Sequence, residues 1–136
     1  MDNKKLIIYT DGGARGNPGP AGIGAIIYGE DKKVIAEISE FIGRATNNQA
    51  EYRAVIFAIE KAKKLGAQEI DFFLDSELVV KQLNREYKVK NKELAPLFVK
   101  IYNACINFEK VTFTHVRREM NVEADKLAND AMDRGE

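Results

Sequence analysis

Two short apolar runs in this chain end on an aspartate. LIIY, Leu6 to Tyr9, passes through Thr10 into Asp11, and IDFFL, Ile70 to Leu74, stops at Asp75. A continuous apolar run such as Leu6 to Tyr9 fills the middle of a sheet, where a lone ionised carboxylate is costly without a partner. Both strands therefore belong at the centre of a sheet as parallel neighbours, with Asp11 and Asp75 emerging at the same edge. Acids placed there call for a cation.

The glycine-rich segment after Asp11 is not a nucleotide cradle. Neither G-x-G-x-x-G nor G-x-x-x-x-G-K-[ST] fits Gly12 to Gly29, and Pro18 and Pro20 lack the N–H groups such a cradle needs. The segment leads into a second strand, Gly22 to Tyr28, with Ile23, Ala25 and Ile27 alternating. The first two runs read as an antiparallel pair joined by a stiff loop. Lys33 to Phe41 alternates again and gives a third strand.

The period then changes. Ala50, Ala54, Ala58, Ala62 and Leu65, with Val55 and Ile59 beside them, mark an amphipathic helix over Asn48 to Leu65, ended by Gly66. Ile70 to Leu74 is the fourth strand, and Ser76 begins a helix running to about Glu86. Glu93 to Phe108 has helical spacing, with Pro96 tolerable in its first turn. Lys110 to Val116 is a fifth strand, and a last helix runs from about Asn121 to Met132. The order βββ-α-β-α-α-β-α predicts a mixed sheet with helices on its faces.

With 136 residues, 45% apolar and 31% charged, the chain reads as a single globular domain of cytoplasmic type. Met1 to Lys5 leads into too few apolar residues for a signal segment, and no stretch reaches the length of a membrane span. The formal net charge is zero, so no global field draws the protein onto nucleic acid. A local patch remains in EYKVKNKE, where Lys88, Lys90 and Lys92 fall on every second residue, as in a solvated linker or a basic ridge. The single cysteine, Cys105, reads as a core thiol. One cysteine and one histidine, His115, cannot build a tetrahedral zinc site or support much histidine-based catalysis.

Four acids stand at element boundaries: Asp11 and Asp75 at strand ends, Glu51 in the first turn of one helix, and Asp125 near the start of the last. Singly, each has a structural explanation. Asn48-x-x-Glu51 reads as a capping box, carboxylates near helix N-termini suit the macrodipole, and Asp75 introduces the Ser76 turn. Together, like charges drawn to one place raise one another's pKa unless a cation compensates. A hard divalent cation does so. Four carboxylates can hold two such ions flanking a phosphodiester, one activating the attacking water and the other stabilising the leaving oxygen.

The strings TDGGARGNPGPAG, TNNQAEYRA, LDSELVVKQL and HVRREMNVEADKLAN, in that order and at those intervals, resemble the motifs of type 1 ribonuclease H, the nuclease that cuts the RNA strand of RNA/DNA hybrids. The resemblance covers nearly the whole chain. It implies an α/β fold, a ribonuclease H-like five-stranded mixed sheet flanked by helices, as one catalytic domain over residues 1–136. It implies hydrolysis of the RNA strand with 5′-phosphate and 3′-hydroxyl ends. Asp11, Glu51, Asp75 and Asp125 fill the places of the metal-binding catalytic set, with two Mg²⁺ ions, or Mn²⁺ as a substitute. The implied partner is the RNA/DNA hybrid, bound by a monomer with no obligate protein partner and no membrane.

The same resemblance carries roles to polar neighbours. Gly12, Gly13, Asn17, Asn47 and Asn48 match positions that grip the hybrid near its minor groove, where 2′-hydroxyls distinguish RNA from DNA. Arg44 and Thr46 match a pocket for a DNA-strand phosphate, and Asn91 matches it more loosely. Ser76 is grouped with these contacts, as are Lys88 and Lys90. The sequence also departs from larger members: the basic protrusion shrinks to EYKVKNKELAP, no N-terminal hybrid-binding module precedes the motifs, and the loop after the fifth strand, RREMNVEA, has no histidine. His115 is expected to be a packed or edge residue of that strand, and Arg118 to stand where the loop histidine would be. A non-catalytic scaffold of the same fold and a DNA-directed nuclease are the competing readings.

Overall fold

The apolar runs and alternating segments form five strands in one sheet: β1 (Lys5–Ala14), β2 (Gly19–Tyr28), β3 (Val34–Ala45), β4 (Glu69–Leu74) and β5 (Lys110–His115), in the order β3-β2-β1-β4-β5. The structure is a computed structural model describing residues 4–136, so Met1 to Asn3 of the charged start lie outside the described residues. β1 pairs antiparallel with β2, and β2 with β3, while β1–β4 and β4–β5 are parallel. The two aspartate-ended runs are central parallel neighbours, as expected.

Around the sheet lie α1 (Asn47–Lys64), α2 (Glu77–Leu83), α3 (Ala95–Cys105) and α4 (Val122–Arg134). α1 turns its alanine seam, with Val55 and Ile59, onto Leu6, Ile8, Ile27, Ile70 and Phe72, and Val79 and Ile101 extend this core. α4 covers the opposite face across β2 through Ala124, Ala128 and Ala131.

Several boundaries differ from the sequence expectation, the largest of them for local reasons. β1 does not end at Asp11: it continues beside β2 through Asp11↔Gly24 to Ala14↔Ala21, leaving only a short turn closed by Arg15 N–H donating to Pro20 O at 2.8 Å. The alternation in β3 breaks after Phe41 because a bulge shifts the register there and Gly43 takes φ +76°, yet pairing with β2 resumes to Ala45. α2 stops at Leu83, followed by Arg85 at φ +62°, and α3 starts at Ala95, with Pro96 in its first turn as expected.

The capping box of α1 is also not where the spacing placed it. Thr46 is the N-cap: its hydroxyl accepts from Gln49 N–H at 3.1 Å, and Gln49 Oε1 accepts from Thr46 N–H at 2.8 Å. Asn48 is therefore not the cap, and the Glu51 carboxylate is free of that duty. Gly66, at φ +79°, closes the other end as expected.

Two glycines decide how closely the helices approach. A Cβ on Gly12 would lie 2.3 Å from Ala50 O of α1, and one on Gly24 would lie 2.3 Å from Ala124 O and 2.6 Å from Ala128 N of α4. These are backbone atoms and cannot rotate away. Gly24→Ala is expected to destabilise the protein by about 1–3 kcal/mol or more, the cost of overpacking a close contact, seen as a lower denaturant midpoint. An unchanged midpoint would mean that α4 can back away freely.

Candidate metal and nucleic-acid site

The four acids converge because of how the chain is paired, not because they are near in sequence. The parallel ladder between β1 and β4 ends at Thr10↔Leu74, so Asp11 and Asp75 are the next residues on adjacent strands. The close approach at Gly12 sets Glu51 beside Asp11; Glu51 is in the second turn of α1 and not the first as expected, because Thr46 caps the helix. Gly24, opposite Asp11, receives the first turn of α4 and brings Asp125 over it.

Each carboxyl is engaged by a protein group. Asp11 is hydrogen-bonded to Asp125, Ser76 supports Glu51, and Asp75 Oδ2 accepts from Asn121 Nδ2 at 3.0 Å. Burial pushes Asp11 up to about 8, helped by the charge of Asp75, by the hydrogen bond to Asp125, and by the charges of Asp125 and Glu51. Glu51 is pushed up to about 7, again mainly by burial; the Ser76 hydroxyl opposes the rise, Asp75 adds to it, and the charge of Arg118 opposes it.

These features fit a hard cation. The donors are all oxygens, the acids raise one another's proton affinity, and Glu51 Oε2 is buried with no hydrogen-bond partner. Among the described residues no three His, Cys, Asp or Glu side chains are arranged as a group that could hold a metal ion. The four carboxyls share one edge, with Asp11 turned to Asp125 and Asp75 to Asn121. The space between Thr10, Asp11, Glu51 and Asp75 admits no water-sized sphere, so it is no pocket for a small organic substrate.

The raised carboxyls predict a pH dependence. Between their ordinary values and their folded values the native state holds protons that the unfolded chain has released, so stability falls as pH rises. In chelator-treated buffer, the contribution of these two groups should be full at and below about pH 4, decline as pH rises to about 7 and 8, and then level. Added Mg²⁺ should flatten the decline. Denaturant titrations at fixed pH, with and without Mg²⁺, measure both.

Arg118 lies on the 3-10 turn Arg118–Met120, is exposed, and takes part in no ion pair among the described residues. His115 meets the edge alternative of its expectation and not the packed one. It is at the end of the edge strand β5, opposite Leu74, and exposed, so the acid edge is nearer to it than its sequence context suggested.

The polar residues divide into two groups. Asn17 Oδ1 accepts from Asn47 N–H at 3.1 Å, and Asn47 Oδ1 accepts from Ala14 N–H at 2.7 Å, so both side-chain amide N–H₂ groups remain without a protein partner among the described residues. Thr46 and Asn91 meet across a cleft of about 180 Å³ together with Asn17, Asn48 and Glu93. Arg44 is exposed and does not line that cleft. Gly12 is buried, so its closest role is packing under α1 rather than contact at the surface, while Gly13 is half-buried beside Asn47. Ser76 is the N-cap of α2, accepting from Val79 N–H at 3.3 Å, and lines the acid cluster. Lys88 and Lys90 are exposed on either side of Val89, which packs on the core, as the alternation implies.

Asn121 is the site residue that sequence reasoning missed. It is fully buried, and its Nδ2 reaches Thr10 O at 2.9 Å as well as Asp75. In the sequence it marked only the approximate start of the last helix.

Sheet order, helix placement and a shared edge of acids define the ribonuclease H-like class of α/β folds. Residues 9–131 match the family model described as "Reverse transcriptase-like". The bifunctional protein Rv2228c of Mycobacterium tuberculosis is 48% identical over 95% of this chain, which spans 36% of that protein's length. A Clostridium botulinum ribonuclease H is 37% identical over 96% of this chain and 97% of its own. The crystal structure of LC11-RNase H1 in complex with RNA/DNA hybrid superposes with a TM-score of 0.91 at 45% identity, covering 95% of this chain and 97% of that one. The chain belongs to the ribonuclease H family. Among the described residues no helix is long and apolar enough to cross a membrane.

Proposed function

We propose that this protein is an endonuclease that hydrolyses the RNA strand of RNA/DNA hybrids. The observation that carries the reading is the meeting of Asp11, Glu51, Asp75 and Asp125 at one sheet edge. Asp11, Glu51, Asp75 and Asp125 would hold two divalent cations, Mg²⁺ or Mn²⁺. Such ions, when bound, supply positive charge at the attacking and leaving oxygens of an in-line displacement. Water adds to phosphorus, the P–O3′ bond breaks, and the products carry a 5′-phosphate and a 3′-hydroxyl.

The chain's own groups set the substrate. The partnerless N–H₂ groups of Asn17 and Asn47 suit the acceptors of a minor groove and its 2′-hydroxyls, with Gly13 and Asn48 beside them. Thr46 and Asn91 in their shared cleft, with Arg44 nearby in sequence, suit a DNA-strand phosphate. Lys88 and Lys90 add salt-sensitive attraction to the backbone, and Ser76 steadies Glu51. A monomeric enzyme is part of the proposal, since no group of the proposed site has to come from a second copy. The lone Cys105, without a disulfide partner, suits the cytoplasm.

A strand-specific assay tests the proposal. A hybrid labelled on either strand should lose only its RNA strand, and only with divalent metal present. Equal cutting of a DNA duplex would favour a DNA-directed nuclease, and hybrid binding without cleavage would favour a scaffold.

A further inference from the structure

Asn121 occupies the N-cap position of α4, yet its side chain caps nothing. Two acceptors, Thr10 O at 2.9 Å and Asp75 Oδ2 at 3.0 Å, fix its amide with the N–H₂ toward them. Its backbone O accepts from Asp125 N–H at 3.1 Å. One residue therefore ties together the end of β1, the acid after β4 and the turn that carries the fourth acid.

The arrangement is expensive for a structural tie. Asn121 is 0% exposed, and its Oδ1 is buried with no partner; a native structure keeps an unsatisfied buried group where something else requires it. The choice of donor says what is required. An arginine or lysine would neutralise Asp75 and compete with a cation, and an aspartate would repel it. A neutral amide orients one carboxylate oxygen and leaves the charge, with the other oxygen, available.

We infer that Asn121 is a positioning residue that presents Asp75 to a divalent cation while locking Asp125 to the same edge. The inference rests on the proposed role of the acids. It predicts that Asn121→Ala lowers the affinity of the substrate-free protein for Mg²⁺ about tenfold or more, the range for losing the outer hydrogen-bond partner of a metal-binding group. The Mg²⁺ needed for half-maximal turnover should rise by the same factor, with the KM for hybrid unchanged.

Isothermal titration of Mg²⁺ into wild type, Asn121→Ala, Asp75→Asn and Ile101→Ala tests this. Ile101→Ala, a core truncation on α3, should lose stability yet keep wild-type Mg²⁺ affinity, separating positioning from general loosening. A folded Asn121→Ala with wild-type affinity overturns the inference, while weak binding by Asp75→Asn still upholds the role of the acids. No binding by wild type overturns both. Should Asn121→Ala fail to fold, the wild-type protein suffices: the Asn121 side-chain amide signal should exchange slowly with solvent and shift on addition of Mg²⁺. A signal that Mg²⁺ leaves unmoved overturns the inference.

Discussion

Asp75→Asn is expected to abolish cleavage of RNA/DNA hybrid while the protein remains folded. The substitution preserves shape, and the new amide oxygen can still accept from Asn121 Nδ2, so the end of β4 stays tied. What is lost is a negative charge and a ligand at the centre of the cluster, and no other acid stands at the β4 end of the ladder. Asp75 also helps to raise both Asp11 and Glu51. Its removal should lower both, so the metal-free variant should be at least as stable as wild type near pH 8 and show a shallower decline from pH 4 upward. Single-turnover cleavage and chelator-treated denaturant titrations, run on the same preparation, check the two halves. Near-normal turnover with an unchanged Mg²⁺ optimum would remove Asp75 from the site.

Two of the site's four acids, Asp11 and Asp75, were readable from the chain because they sit where apolar runs stop. A buried run ending on a charge is conspicuous, and two of them imply neighbouring parallel strands. Less of it was readable where small residues carry the geometry. Gly12, Gly13 and Ala14 have poor strand propensity, so the chain beyond Asp11 looked like loop; they pair as β1, and Gly12 lies directly under the α1 backbone. Asn121 was invisible for a different reason. An asparagine before a helix is the commonest sort of cap, and only three-dimensional pairing turns its amide toward Thr10 and Asp75. The Asn48–Glu51 spacing misled in the opposite direction, since Thr46 and Gln49 satisfy the same pattern two residues earlier.

Arg118→Ala is expected to lower turnover by roughly one to two orders of magnitude, the scale of losing one charged stabiliser, with little change in hybrid affinity. The guanidinium already acts on the site, because its charge opposes the raised pKa of Glu51. It stands on an exposed turn just ahead of Asn121 and Asp125, free of ion pairs among the described residues, and so remains available to a leaving oxygen or a departing phosphate. Arginine cannot give up a proton near neutral pH, so its contribution is electrostatic. Arg118→Lys should therefore recover part of the rate, and the loss in Arg118→Ala should be nearly independent of pH between about 6 and 9. His115 is the alternative, since it ends β5 beside Leu74 and the acid next to it. Its exposure makes His115→Ala neutral for stability, which leaves turnover as a clean readout. If His115→Ala removes turnover and flattens the acid limb of the pH profile while Arg118→Ala does neither, the proton-carrying histidine of this site lies in the strand and Arg118 is only part of its surface.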